Sequence, residues 1–533
     1  MAFRRSTVRS RSAPPRPILT FFLRKPARRA KLDGVMLRVR AFAIGVSFLL
    51  GSSTLLGQVS FPGPELLGRP TDHSVTINVV PDAAIDAYFE YGTQSGGPYD
   101  HRFPASGAVS TSANLPLVAV LGPLEPNTRY FYRMVYRPSG ASSWSTRDEH
   151  SFYTQRTRGS TFTFTVTSDS HIGILFGDAA LFHRTLQNIA SDDPDFHLDL
   201  GDTFAMNDLI AQHDANTVYL YLRSFFAEIS HSAPIFLVVG NHEQEEGWHL
   251  YDTHLVPSPP VMTVNARALY YLNPDPLLGG FFSGNTDVTN SGLNGDHTIG
   301  DYYAWEWGDA LFVVIDPYWY SVTKPYTGDP GGESYSPGSG DFWDWTLGEG
   351  QYLWLKQTLE ASKATYKFLF THQLVAGWDG SPDAYGWGGA NAATYAEWGG
   401  NNSDGVTPGF AAHRPGWYAP IHRLLVENKV TAVFHGHDHE FAYEKRNGVV
   451  YQAVPMAAEV RSTFGFGVYK ETDPYTIRVL RNSGHLRVTI SPLQVRVDYV
   501  RAFRPSDQGT NGSVDYSYTI APRGNRRRSV RPE

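Results

Sequence analysis

Five apolar runs between residues 161 and 439 each end in a polar block: TFTFTVTSDSH, DFHLDLGD, IFLVVGNHE, KFLFTHQ and VTAVFHGHDH. Each run is short, rich in β-branched and aromatic residues, and reads as a strand. ALFVVID at 310–316 is a further strand of the same kind. Between them, DAALFHRTLQNIAS at 178–191, QYLWLKQTLEAS at 351–362 and HRLLVENK at 422–429 have helical spacing. Strands that alternate with helices predict an open α/β sheet, and such sheets gather ligands beyond the carboxyl ends of their strands. Here nearly every one of those ends is Asp, His or Asn.

The 533 residues contain no cysteine, which excludes disulfides and thiolate metal sites, so any metal must sit on His, Asp, Glu or Asn. The formal charge of -7 is unevenly spread. Residues 1–40 hold 12 basic residues and residues 521–533 hold five, with one acid in each segment, so the remaining body carries 28 basic and 50 acidic residues, near -22. Such a body is a poor surface for a nucleic-acid backbone, and no specific nucleic-acid binding is expected. If this body binds anionic ligands such as phosphate esters, positive charge must be concentrated locally, as a metal pair would do.

Residues 1–57 read as a basic extension and a signal sequence. The uncharged run AFAIGVSFLLGSSTLLG at 41–57 follows Arg38 and Arg40, and is short for a bilayer span. Met36 is an alternative start that would give a signal of ordinary length; a long basic n-region or an uncleaved anchor are the alternatives. The expectation is export to a periplasmic, extracellular or cell-surface location, without a permanent membrane span. Residues 62–156 carry alternating strands (VTINVV, AYFEYG, RYFYRMVYR) separated by turns, and resemble a fibronectin type III-like β-sandwich. That module is expected to be a spacer or packing partner. Residues 273–303 and 376–416 read as long loops at the rim of a site. Strands resume at 449–455 and 485–502, and 503–533 read as a basic flexible tail.

Among the blocks, Asp169 and His171 are two apart, so both can point to one side of a strand end and clasp one ion. His437 and His439 repeat that spacing, and each could reach a different ion. Asp202 has two oxygens and can bridge, while Asn241 offers a neutral carbonyl oxygen. Oxygen and imidazole donors suit divalent Fe, Mn or Zn. These five blocks, in this order, resemble the calcineurin-like metallophosphoesterase superfamily over residues 161–502. The resemblance implies a four-layer αββα domain with two divalent metal ions. It places Asp169, His171, Asp202 and His439 at one ion, and Asp202, Asn241, His372 and His437 at the other. It also implies a phosphoric ester hydrolase acting on a small phosphate ester through a hydroxide shared by the ions.

The sandwich followed by the metal domain is similar to the purple acid phosphatase arrangement, with two departures. Ala205 stands where those enzymes have a tyrosinate ligand, and His171 stands where they lack a histidine. Replacement of the phenolate by His171 predicts an all-divalent pair. His242 is the candidate for protonating the leaving oxygen or binding the phosphate. For Glu243 two readings stand side by side, orientation of the His242 ring and a plain structural hydrogen bond. Asp438 and His435 are expected to support the ligands beside them. Phosphomonoester hydrolysis leads. A phosphodiesterase or nucleotide-cleaving enzyme, with aromatic loops such as WDGSPDAYGWGG stacking a base, is the second reading. A binding module with an inert metal domain is the third, and the complete ligand set argues against it. Oligomeric state is left open.

Overall fold

The computed structural model describes residues 58–172, 177–204, 211–251, 255–290, 296–325, 339–375, 387–461 and 467–523. The run at 41–57 lies outside them, and no helix among the described residues is long and apolar enough to cross a membrane.

Residues 63–153 form the β-sandwich. In Ile85–Gly92 and Leu117–Leu121 buried residues alternate with more exposed ones, which is the period a sheet with one wet face imposes. A three-stranded sheet (Gly63–Gly68, Val75–Val80, Leu117–Leu121) closes over a six-stranded one centred on Ile85–Gly92 and Arg129–Pro138. Ile77, Ala119, Phe89, Tyr132 and Met134 fill the space between.

Two further sheets make the metal domain. The first runs Ile235–Leu237, Phe196–Asp199, Phe162–Thr167, Gly484–Ile490, Val495–Arg501, Val514–Ile520. The second has eight strands, with Ala310–Val314, Tyr366–Thr371, Ala432–His435 and Val449–Ala453 parallel at its centre. Their inner faces meet in an aromatic layer, in which the Phe164 ring lies 5.2 Å from Phe312 and 5.9 Å from Phe368. Helices Ala179–Ser191, Gln212–Phe226 and Pro259–Tyr270 cover the outer face of the first sheet, and Gly348–Ala361 and Ile421–Glu427 that of the second. The four layers are therefore αββα. Parallel strands bring the blocks read from the sequence to one rim, at their carboxyl ends.

The reading of 503–533 as a flexible tail is corrected for 503–523; residues 524–533 lie outside the described residues. Val514–Ile520 pairs antiparallel with Val495–Arg501, and Tyr518 and Ile520 enter the aromatic core. Asn188 and Arg504, bonded to Asn511 and Asp178 respectively, tie the connecting segment to the first helix of the domain. The domain thus runs past residue 502 to at least Ile520.

The sandwich is bolted to the metal domain by Arg223. Its fully buried guanidinium donates to Asn78 Oδ1 (2.5 Å), Pro64 O (2.6 Å), Tyr270 O (2.8 Å) and the Asn78 carbonyl. Burial pushes its pKa down to about 10, so it is charged at neutral pH. Arg223→Ala strips donors from several buried acceptors, each worth roughly 1–3 kcal/mol. The expected loss is about 3 kcal/mol, read by chemical denaturation of the full chain.

At the same interface His150 of the sandwich stacks on His231, with ring centroids 4.0 Å apart. Burial, and then the neighbouring His150, push His231 down to about 4; burial also lowers His150. The unfolded chain takes up these protons near pH 6.5, whereas the folded chain does not until lower pH. Their contribution to stability is therefore complete above about pH 6.5 and is lost as pH falls toward 4. Melting temperature should drop over that window, and less steeply in His231→Gln.

Candidate metal centre

Five of the seven residues in the candidate ligand set have left-handed backbones: Asp169 (φ 54°), His171 (47°), Asp202 (55°), His437 (69°) and His439 (57°). Non-glycine residues pay roughly 1–3 kcal/mol each for this, and they hold it only where surrounding bonds over-determine the loop. Those bonds are present. Asp169 N donates to Gly201 O and His171 N to Asp202 O, both 3.0 Å, while His437 N donates to Asp169 Oδ2 at 3.0 Å. Gly240 sits where a Cβ would come within 2.4 Å of Asp202 N, so the GNHE turn can press against the LGD turn only through a glycine.

The side chains converge on one buried spot. Ligating atoms of Asp169, His171, Asp202 and His439 lie within 4.8 Å of one another, and so do those of Asp202, His372 and His437. Asp202 belongs to both groups. Its Oδ2 is 3.2 Å from His372 Nε2 and 3.7 Å from His171 Nε2. Asn241 Oδ1 joins the second group, 3.1 Å from His372 Nε2 and 3.0 Å from His437 Nδ1. His171 Nε2 and His439 Nε2 face each other at 3.0 Å. His372 Nδ1 donates to Leu200 O at 2.8 Å, which turns Nε2 toward the site as the lone-pair nitrogen.

The electrostatics demand cations. Burial raises the carboxyls of Asp169 and Asp202, yet the surrounding histidines outweigh it and hold both well below the usual range. Burial lowers His372, and Asp202 with Asp169 reverses this, pushing it up to about 10. Two buried carboxylates thus draw in positive charge, which a proton or a metal ion can supply. Two carboxylates, four imidazoles and one amide oxygen, all buried, fit divalent metal ions.

His242 belongs to neither group. Its backbone N donates to Asp202 Oδ1 at 2.9 Å, and its ring stands edge-on to His171 at 5.0 Å. Burial, partly opposed by Asp202, lowers its pKa to about 4, so the ring is neutral at neutral pH. Glu243 is held by four backbone amides. Its Oε1 accepts from Thr203 N and Phe204 N, each 2.9 Å, and its Oε2 from Asp202 N (3.0 Å) and Gly240 N (2.6 Å). These four bonds support the structural reading, in which Glu243 positions the turn that carries Asp202.

Asp438 accepts from Tyr469 OH and from Gly388 N (3.2 Å), and Trp387 stands edge-on to His437 at 5.0 Å. The rim loop thus reaches the metal centre at Trp387, which sequence reading had placed only within a generally aromatic loop. Asp199 was not singled out either. Its Oδ2 accepts from Thr167 Oγ1 at 2.7 Å and its Oδ1 from Gly201 N at 3.2 Å, bracing the Asp202 turn from below. Its position in DLGD, three residues before Asp202, is the only sequence signal it gives. Ala205 lies outside the described residues.

No curated protein matches the chain in sequence. Among solved structures it is similar to PhoD, with a TM-score of 0.58 at 16% identity over 87% of this chain and 90% of that one. It is also similar to the purple acid phosphatase PPD1 from yellow lupin (Lupinus luteus) seeds, with a TM-score of 0.53 at 14% identity over 86% and 74%. At such identities the likeness concerns the fold. The sequence profile of the calcineurin-like phosphoesterases matches residues 162–441, more than half of the chain, and spans every one of the five blocks. With that match the chain belongs to the calcineurin-like phosphoesterase family and is a hydrolase of phosphate esters.

Proposed function

We propose that the protein is an exported, dinuclear metal-dependent phosphomonoesterase. The observation that carries the metal assignment is the sharing of Asp202 between two groups of buried donors. Asp169, His171, Asp202 and His439 hold one ion, and Asp202, Asn241, His372 and His437 the other. Bound there, a pair of divalent ions supplies a nucleophile at neutral pH and charge to stabilise the transferring phosphoryl group. The chain's own work is to hold and orient. Leu200 O sets the tautomer of His372, Glu243 and Asp199 fix the Asp202 turn, and His242 hydrogen-bonds the phosphoryl group, or protonates the leaving oxygen once the negative charge of the bound ester has raised its pKa. Replacement of a phenolate by His171 makes an all-divalent pair the natural occupant. Export rests on the apolar run at 41–57.

The test is hydrolysis of a monoester and a diester of p-nitrophenol by the full chain reconstituted with Mn, Zn or Fe. Preference for the monoester supports this reading. Preference for the diester overturns the substrate class and keeps the centre.

A further inference from the structure

On the far side of the second sheet, a cavity of about 500 Å³ opens at the amino ends of Tyr366–Thr371 and Ala432–His435. These are the strands whose other ends lead to His372 and His437, so the cavity lies roughly 20 Å from the metal centre at 3.3 Å per residue. Four cations line it: Lys363, Lys367, Lys429 and Arg523.

Two acids also line it, and both are engaged away from these cations. Glu360 pairs with Lys356 at 2.7 Å, and Glu427 pairs with Arg423 at 2.8 Å and accepts from Tyr418 OH. Lys363, Lys429 and Arg523 have no acidic partner among the described residues. Lys367 is 8% exposed, and among the described residues its amine donates to the Leu359 carbonyl alone. Burial, and then the charge of Lys363, lower its pKa, with Glu306 opposing them only in part.

Arg523 lies against the fold. Its guanidinium lies on the Asn447-Gly448 turn, so close that a Cβ on Gly448 would meet Nη2 at 2.8 Å. That Nη2 is buried and has no hydrogen-bond acceptor. A buried donor of this kind costs free energy until an acceptor arrives.

We infer that this cavity is a second oxyanion site, which takes a compact phosphate-bearing anion between Lys363, Lys367, Lys429 and Arg523. The acidic body of the chain opposes a long polyanion, whereas a small anion inside the cavity meets four cations at short range. Orthophosphate, the product expected of the metal centre, is the natural candidate. That choice of anion rests on the proposed function, but the cation cavity does not.

The experiment is equilibrium dialysis of radiolabelled orthophosphate against the metal-loaded full chain at about 0.15 M salt. Two sites per chain are expected. Lys363→Glu with Lys429→Glu, both exposed positions, should remove one site by weakening it about twentyfold or more, while turnover of p-nitrophenyl phosphate stays within about twofold. Asp202→Asn should remove the other site. Retention of both sites in the double-lysine variant would overturn the inference, as would a single wild-type site that disappears in Asp202→Asn. Absence of turnover in a wild type that still binds phosphate at the lysine-dependent site would count against the proposed function alone.

Discussion

Asp202→Asn should yield a folded chain that binds no metal pair and turns over at least about a thousandfold more slowly than wild type, consistent with the share of catalysis that metal ions carry. The size follows from position. Asp202 is the residue common to both donor groups, and its carboxylate is ionised, held far below the usual range by His372 and its neighbours. An amide removes that charge and puts a donor N–H where a cation must sit. Folding should survive, because Glu243 grips the turn through the amides of Asp202, Thr203 and Phe204 and not through the Asp202 side chain. Metal analysis beside a steady-state assay decides the matter. Wild-type metal content in the variant would refute the bridging assignment.

His242→Ala should give the complementary result, with both ions retained and kcat lowered about a hundredfold or more. The ring lies beside the donor groups and belongs to neither, and alanine keeps the backbone N–H that bonds Asp202 Oδ1. The loss should fall on kcat more than on KM if the ring acts on the leaving oxygen, and on both if it mainly binds phosphate. Loss of metal would show that His242 is a structural support of the centre and no participant in the chemistry.

The ligand blocks were legible because each closes a buried strand, and buried strands advertise themselves by their residue types. What the blocks could not disclose is the backbone strain beneath them. Nothing in SDSH or HGHDH says that Asp169, His171, His437 and His439 adopt left-handed conformations, since that depends on turns contributed by distant segments. Glu243 illustrates the same limit. Its neighbour in sequence is His242, but three of its four amide donors lie some forty residues away.

Other misses were in plain view. Val514, Tyr516, Tyr518 and Ile520 alternate as a strand should, but the arginines that follow them drew the segment into a charged tail. Ser258-Pro259-Pro260 is a helix start, and it opens Pro259–Tyr270 inside a stretch that had no assignment. Tyr219, Leu222 and Phe226 recur at helical spacing on Gln212–Phe226 and are buried together. Arg223, on the same helix, could not have been read as the bolt to the sandwich, because its acceptors come from residues 64, 78 and 270.

The central claim is a pair of ions joined through Asp202, and the most direct measurement is electron paramagnetic resonance of the chain reconstituted with Mn(II), alongside metal counting. Two ions per chain with an exchange-coupled spectrum is the predicted result, lost in Asp202→Asn. One ion per chain, or two that give the spectrum of isolated Mn(II), would contradict it.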